Sequence, residues 1–420
     1  MSAPVIEAHP RGFRAPGTTF MVAGGLIGAV GAYIFQAYGG RQLGTEAFAP
    51  VAQLWTVFFI IATVLLVPVE QYITREVAGG RKVIPVDLVP AMTVTAIGAV
   101  IGGGFVFFTS DRLFAGSMAY VIQIVLLMIG YGLLFVGKGV YAGRRHFAKV
   151  GWVLIVETVV RLAAGIAAIQ LAASAESLGW AMVLGGFAVL GMGWWRYDQG
   201  HTRPPAAPPT RFLGGYVGGT AASQVLLGAA PVAVALLGGD EAIQSIVFAT
   251  FTLFRAPLTL IFSLQGRVLP YLVGMAASGD RKGLAQIARL VVIGGVVLAG
   301  IGALVGWLVG PEVVSFLFIP EFAPSATVAA LTAAGVTAAA TAQIAGQVLV
   351  AEGRTSRLSI AWIAGLVSAV LALLLLGGAP DVRVALAFLI GETVALVAMA
   401  FLATGGPVLK SPISNARPRG

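Results

Sequence analysis

The stretch GGRQLGTEAFAPVAQLWTVFFIIATVLLVPVEQYITREVAGGRK, residues 39–82, decides the fold class of this chain. A glycine-rich hairpin is predicted at its start, and 22 residues without a charge follow, from Phe48 to Val69. A helix needs about 20 residues to cross the hydrocarbon core of a bilayer. The uncharged run is therefore predicted to be a membrane helix, which ends in polar and charged residues from Glu70 to Glu76.

The composition extends this prediction to the whole chain. Of the 420 residues, 58% are hydrophobic and only 10% are charged, with a mean hydropathy of +0.94. Soluble domains carry about 25% charged residues, so a polytopic membrane protein is predicted. The formal charge of +9 is attributed to loop topology and not to nucleic-acid binding. The chain has no cysteine and its three histidines show no metal-ligand spacing, so no metal or cofactor is predicted.

Twelve apolar runs of about 20 residues predict an all-α fold with about twelve transmembrane helices. The runs cover residues 18–39, 47–74, 87–109, 115–137, 150–172, 177–196, 212–237, 242–273, 287–309, 324–350, 358–377 and 383–404. Residues 312–326, which hold two prolines with Pro311 just before them, are predicted to be a loop or a short surface helix. A proline-rich interruption divides the runs into six and six. The predicted organisation is an N-terminal segment 1–17, a lobe 18–196, a linker 197–211, a lobe 212–404 and a tail 405–420.

The basic residues predict the orientation, because cytoplasmic loops hold an excess of Lys and Arg. Twenty basic residues fall on the side of the N-terminus, and three fall on the other side, namely Arg41, Arg112 and Arg383. Both termini, the linker and the tail are therefore predicted to be cytoplasmic. A first apolar run this long, followed at once by a second, is expected to be a retained helix and not a secretion signal.

An internal repeat is a further prediction. Gly143-Arg144 after the fourth run matches Gly353-Arg354 after the tenth, and Arg81-Lys82 after the second matches Arg281-Lys282 after the eighth. Six helices return the chain to its starting side, so the two halves are expected to be related by an axis along the membrane normal.

The candidate functional residues are polar or charged residues within apolar runs, where each charge costs on the order of 3 kcal/mol. Arg255 lies deep in the eighth run beside Pro257, which weakens the helix there. It is a candidate for engaging an anionic substrate, and its alternative role is a structural bond to carbonyls that the proline frees. Glu157 and Arg161 lie four residues apart on one helical face, where they can form a purely structural pair or contribute to the site.

Further candidates carry alternatives of the same kind. Glu392, in the middle of the last run, is a proton-coupling site or a hydrogen-bonded neutral acid. Arg41 is a gate residue or an arginine that extends to the interface. The second and eighth runs are predicted to have bent, polar cytoplasmic ends. The alternative is that the polar residues there only anchor the helices at the interface. At these ends, Pro68 and Glu70 are predicted coupling or gating residues, and Arg267 is a predicted substrate contact. Gln36 and Gln224 complete the predicted binding set.

The motif RQLGTEAFAPVAQLW from Arg41, followed by an apolar run and Gln71-Tyr-Ile-Thr-Arg75-Glu76, resembles the opening of polysaccharide flippases. These belong to the multidrug/oligosaccharidyl-lipid/polysaccharide exporter superfamily. The resemblance implies two six-helix lobes around a central cavity and no ATPase domain. It also implies alternating access that moves a polyprenyl-diphosphate-linked glycan from the inner to the outer leaflet of a bacterial inner membrane. Glycosyltransferases or a polymerase of the same pathway are the implied partners, besides the lipids of the membrane.

Two other functions remain open at this point. An ion-coupled small-molecule exporter of the same superfamily has the same helix layout, and it should use acidic cavity residues. A non-transporting scaffold for polysaccharide synthesis also fits the apolar runs. An enzyme is not predicted, because the chain has no paired catalytic carboxylates, nucleophile motif or phosphate-binding loop.

Overall fold

The computed structural model describes residues 17–83, 88–201 and 220–404, without the side chains of residues 259, 260, 262–267 and 281. This part of the chain is almost entirely α-helical. The helices are α1 (Thr18–Ile61), α2 (Val67–Ala78), α3 (Leu88–Leu113), α4 (Ala119–Gly143), α5 (Phe147–Ala172), α6 (Ala175–Phe187), α7 (220–228), α8 (Ala230–Leu236), α9 (Glu241–Phe254), α10 (Leu258–Ala277), α11 (Arg281–Leu317), α12 (Ala326–Ala351), α13 (Thr355–Leu375) and α14 (Pro380–Thr404).

The helix lengths confirm an all-α polytopic membrane protein. Within the described residues, nine helical segments are long and apolar enough to cross a membrane. The first of them, Thr18–Ala78, has 61 residues. At 1.5 Å per residue it is about 90 Å long, enough for two crossings of a core about 30 Å thick. The shorter helices α7 to α10 supply the remaining apolar segments, in agreement with the prediction of about twelve crossings.

The turn between the first two crossings differs from the prediction. Gly39 and Gly40 are helical, and the break lies at Gly44, whose φ of 77° and ψ of 177° are not helical. The two earlier glycines serve close packing instead, because a Cβ at Gly40 would lie 2.7 Å from the ring of Phe318. Only a glycine adopts the backbone angles of residue 44 without strain, so the chain turns there.

The second crossing contains one irregular turn. Residues Ala62–Leu66 form a π-helical turn, and α2 begins immediately after it with Pro68 in its first turn. The extra residue of a π turn leaves backbone carbonyls without their usual partners, as does a proline in a helix. The predicted bend near Pro68 therefore coincides with an irregular helical turn.

Two other proline-containing regions have opposite outcomes. The prediction of a loop or short surface helix at 312–326 is wrong for its first part, because α11 continues through Pro311 to Leu317. A proline removes one backbone hydrogen bond, and neighbouring helices can compensate for that loss in a membrane protein. Between α9 and α10, by contrast, the helix is interrupted at residues 255–257, where Pro257 is the residue before α10.

The described residues form two compact units. Unit 1 comprises residues 17–253 and 310–325, and unit 2 comprises residues 254–309 and 326–404, with the undescribed residues left aside. Unit 1 includes α7, α8, nearly all of α9 and the last part of α11 in addition to α1 to α6. The predicted linker 197–211 lies mostly outside the described residues, as do residues 1–16 and the tail. The predicted lobe boundaries therefore stay a prediction.

The turns that end α2 and α10 have the same hydrogen-bond pattern. In the first turn, the amides of residues 79, 80 and 81 donate to the carbonyls of residues 75, 77 and 76. In the second, the amides of residues 278, 279 and 280 donate to those of 274, 276 and 275. Gly80 and Gly279 have φ values of 81° and 77° and occupy the left-handed position that ends many helices. This register pairs Arg81 with Asp280, one residue away from the predicted match with Arg281.

The turns that end α4 and α12 also share a hydrogen-bond pattern, which aligns the predicted repeat in a different register from the Gly-Arg pairs. The amides of 144, 145 and 146 donate to the carbonyls of 140, 142 and 141, and the amides of 352, 353 and 354 donate to those of 348, 350 and 349. Arg144 therefore corresponds to Glu352, and Arg145 corresponds to Gly353. Arg145 adopts a φ of 58° and Gly353 a φ of 71°, so the left-handed position and not the Gly-Arg pair sets the alignment.

Candidate functional site

A buried ionic cluster lies in unit 1, between α4 and α5. Arg161 donates a hydrogen bond of 2.6 Å from Nη1 to Oε1 of Glu157. The hydroxyl of Tyr131 donates to the same oxygen at 2.5 Å and accepts a 3.3 Å bond from Arg161. Glu157 and Arg161 are 6% and 4% exposed, so the pair is shielded from solvent. The predicted pairing of these two residues is thus confirmed, and Tyr131 is a third member that the sequence analysis missed.

Aromatic rings from α1 cover the guanidinium of this cluster. Its carbon lies 5.7 Å from the ring centre of Phe35 and 5.2 Å from that of Trp55, which are cation–π distances. The two rings stack on each other at 6.2 Å. The Nε of Arg161 has no hydrogen-bond partner among the described residues. Gln36 follows Phe35 in α1, and its buried Oε1 likewise has no partner there. The described residues therefore leave one donor of Arg161 and one acceptor of Gln36 unsatisfied.

Glycines allow the helices around the cluster to approach closely. A Cβ at Gly185 of α6 would lie 3.0 Å from Cβ of Arg161, and one at Gly165 of α5 would lie 2.7 Å from the ring of Phe35. Small residues at such positions are what membrane helices use to bring their backbones together. The result is a buried charge pair with little room for water. A charge-assisted bond of this kind can exchange its carboxylate for another oxyanion only if the site opens.

A second buried polar cluster joins the second crossing to the segment 230–244 of unit 1. Nε2 of Gln53 donates to the carbonyl of Pro231 at 3.0 Å and to Oε1 of Gln244 at 2.9 Å. Nε2 of Gln244 in turn donates to the carbonyl of Gly239 at 3.0 Å. The sequence analysis did not single out these residues. The available signal was a glutamine inside each of two apolar runs, since an intramembrane amide seeks a partner.

Arg41 and Glu70 have structural partners at opposite ends of their crossings. Arg41 donates from Nε to the carbonyl of Leu317 at 2.8 Å, and from Nη2 to the carbonyl of Phe316. It therefore caps the last turn of α11, where carbonyls lack helical partners. Glu70 forms an ion pair of 2.8 Å with Lys138 of α4. Neither contact touches the Arg161 cluster.

The remaining predicted residues are distributed over both units. Gln224 is half-buried in α7 of unit 1. In unit 2, Arg255 is half-buried in the interruption before α10, next to Pro257. Arg267 belongs to α10, and its side chain lies outside the described part. Glu392 of α14 is fully buried, and neither carboxylate oxygen has a hydrogen-bond partner among the described residues. No described group of three or more His, Cys, Asp or Glu has the arrangement of a metal site.

Solved structures with a similar fold are membrane transporters. An inward-facing multidrug resistance MATE family transporter of the MOP superfamily is 12% identical, with a TM-score of 0.66 over 91% of this chain and 97% of that chain. Lipid II flippase MurJ in an inward closed conformation is 10% identical, with a TM-score of 0.67 over 93% and 88%. The chain has the fold of MOP superfamily transporters. A mutant of the Vibrio cholerae MATE transporter VcmN is also similar, at 15% identity and a TM-score of 0.58 over 93% and 96%.

Two mycobacterial proteins are similar to this chain in sequence. The uncharacterized protein Rv3630 of Mycobacterium tuberculosis is 26% identical over 383 residues, which cover 85% of this chain and 84% of the relative. The uncharacterized protein Rv1510 of the same organism is 26% identical over 410 residues, which cover 93% and 92%. No protein-family model matches the chain. The superfamily resemblance drawn from residues 41–76 is confirmed at the level of the fold.

Proposed function

We propose that this membrane protein is a flippase. Its substrate is a polyprenyl-diphosphate-linked glycan or a related glycolipid, which it moves from the inner to the outer leaflet by alternating access. The observation that carries the proposal is a buried arginine under aromatic rings, Arg161 with Phe35 and Trp55, in a fold shared with a lipid II flippase. Such a substrate has a tail compatible with the bilayer and an anionic head that is not, so a cation within the membrane lowers the barrier to crossing.

Arg255 of unit 2 is another candidate for contacting the anionic head, and Arg267 is proposed to lie nearer the cytoplasmic entrance. Arg255 sits where the helix is interrupted, so its neighbouring backbone is not locked in a regular hydrogen-bond ladder. Discontinuous membrane helices recur at the substrate sites of transporters. Because of this interruption, Arg255 is our first choice for engaging the diphosphate, and Arg161 is the second.

The proposed setting is the inner membrane of a bacterium, with both termini in the cytoplasm. The excess of basic residues on the side of the N-terminus supports this orientation. Glycosyltransferases or a polymerase that make and use the glycan are the proposed partners. Gln36 and Gln224 are proposed as polar contacts for the substrate.

Reconstitution of the purified full chain in liposomes tests the proposal. A lipid-linked oligosaccharide would be loaded in one leaflet, and its arrival in the other would be followed with a membrane-impermeant glycan-modifying enzyme. We expect Arg255→Ala to fold and insert normally but to reduce translocation at least tenfold. Arg289→Ala, which removes an exposed arginine of α11, is the matched control and should transport normally. Equal transport by both variants would remove Arg255 from the site, and no transport by the wild-type chain would favour the scaffold.

The alternative function is an ion-coupled exporter of small molecules. The observation that favours it is Glu392, a fully buried carboxyl without a described partner, which can bind a proton or a cation. If this function is correct, an imposed proton or sodium gradient should drive efflux of a cationic dye through the full chain. Glu392→Gln should then abolish the dependence on that gradient while the protein stays folded. If the protein translocates the lipid but shows no dye efflux, the alternative is rejected.

A further inference from the structure

Unit 2 has an open pocket of about 340 Å³ at the end of α12. The turn after α10 and the start of α11 form one side of the pocket with Ala277, Gly279 and Leu284. The end of α12 forms the other side with Ala351 and Glu352. The wall is mostly apolar, and Glu352 is its one charged residue. The pocket is comparable in size to the smaller ligand sites of proteins.

The two turns that border this pocket have the same hydrogen-bond patterns as the turns that end α2 and α4 in unit 1. The shared hydrogen-bond patterns pair Gly279 with Gly80, and Glu352 with Arg144. Gly279 and Glu352, the two unit 2 residues of these pairs, both line the pocket. The equivalent space in unit 1 therefore lies between Gly80 and Arg144.

In unit 1 this space is filled by the chain itself. A Cβ at Gly200 would lie 2.6 Å from the carbonyl oxygen of Gly80 and 2.9 Å from Nη2 of Arg144. The next residue, His201, donates its amide to the carbonyl of Gly80 at 3.1 Å, and its carbonyl accepts from the amide of Lys82 at 3.1 Å. The segment that follows the sixth crossing thus docks between the ends of α2 and α4.

We propose that residues 405–420, the segment that follows the twelfth crossing, dock in the pocket of unit 2 in the same way. This segment reads GGPVLKSPISNARPRG. The preceding helix, α14, runs beside α12 and ends at Thr404. The sulfur of Met399 would lie 3.5 Å from a Cβ at Gly346, and Arg357 donates to the carbonyl of Leu402 at 3.1 Å. Gly346 precedes Ala351 by five residues, about 7.5 Å along the helix, and a few extended residues span that distance.

The composition of the segment complements the pocket. Its apolar start, Pro407-Val408-Leu409, suits a wall of alanine, valine and leucine, and it contains three basic residues and no acidic side chain. The charge at the matching wall position is reversed between the units, with Arg144 in unit 1 and Glu352 in unit 2. The docked segment of unit 1 carries Asp198, whereas the segment of unit 2 carries Lys410. Glu352 also lies 3.0 Å from Arg354, so a cation of the tail would share that carboxylate.

Cysteine cross-linking tests the docking, and the natural chain helps because it has no cysteine. The full chain would carry Ala277→Cys together with Leu409→Cys, and a short bis-maleimide would join them in native membranes. We expect this pair to cross-link at least about tenfold faster than Ala78→Cys with Leu409→Cys, a pair whose first member is the exposed residue at the same position before the equivalent turn of unit 1. Cross-linking of Ala277→Cys with Ala206→Cys of the linker tests the other possible segment. A faster reaction with the linker, or no preference among the three pairs, would overturn the proposal.

A charge test distinguishes docking from simple proximity. Glu352→Gln in the first cross-linking pair should slow the reaction about tenfold, the factor produced by about 1.4 kcal/mol. Labelling of a single Ala276→Cys by a water-soluble maleimide should accelerate about tenfold when Lys410, Arg417 and Arg419 are replaced by glutamate. Each variant would first be checked for normal insertion and a single elution peak. Labelling rates that ignore the charge of the tail would refute the proposal.

Discussion

The replacement Glu157→Gln tests whether the buried cluster of unit 1 is held by charge. Glutamine keeps an oxygen that can accept from Tyr131 and Arg161 but removes the compensating charge. At 4% exposure the guanidinium cannot recover hydration. Removing one partner of a buried pair costs about 3 to 5 kcal/mol. A loss of about 3 kcal/mol raises the unfolded population roughly 150-fold, since 1.4 kcal/mol is a factor of ten.

The assay is equilibrium unfolding in mixed micelles as the fraction of denaturing detergent is raised. The double replacement Glu157→Gln with Arg161→Met should lie within about 1 kcal/mol of the wild type, because it removes both charges. Glu70→Gln is the matched control, since the Glu70–Lys138 side chains are 21% and 14% exposed and the remaining ammonium is less buried than the guanidinium of Arg161, so the loss should be smaller. The reasoning fails if Glu157→Gln destabilises no more than Glu70→Gln. Transport by the stable double variant then separates a structural Arg161 from one that contacts substrate.

Three further predictions use the same unfolding assay. Gly306→Ala places a Cβ 2.6 Å from the carbonyl oxygen of Ala329, so it should push α11 away from α12 and cost about 1 to 3 kcal/mol of stability. The control Gly300→Ala meets nothing within 4 Å and should be neutral or slightly stabilising. Equal effects of the two variants would contradict the close packing. Arg145→Gly should stabilise and Gly353→Ala destabilise by about 1 kcal/mol each, because both residues have left-handed angles, and effects of the same sign would argue against that conformation. Arg41→Ala should cost about 1 kcal/mol through loss of its bonds to the end of α11, with Arg41→Lys recovering part of it, and an unchanged unfolding midpoint would mean that this cap is not formed in the membrane.

The sequence was sufficient for features that depend on local composition. Runs without charge predicted the crossings, and the four-residue spacing of Glu157 and Arg161 predicted their pairing. Pro257 also marked the interruption beside Arg255. Each of these depends on residues within a few positions of one another. The physical terms involved, helix length, helix periodicity and the missing proline amide, act over the same short range.

Features that depend on contacts between distant segments could not be predicted in this way. Gly39–Gly40 resembles a turn in the sequence, yet the rings of Phe318 and Phe322 occupy the space beside Gly40 and the helix continues. Pro311 likewise resembles a helix end in the sequence, yet α11 continues through it. The partners of Arg161 are 30 to 126 residues away along the chain, except for Glu157. Residue spacing contains no information about them.

The return of residues 310–325 to unit 1 affects the order in which this protein can assemble during synthesis. The ribosome completes α1 to α9 long before these residues exist, and Gly40 and Arg41 lack their partners until then. Helix α10 and most of α11, which belong to unit 2, must enter the membrane in the interval. N-terminal domains usually fold first as chains emerge. Here the earlier unit is closed by the later part of the chain, so a fragment that stops at the proline-rich linker would leave it unfinished.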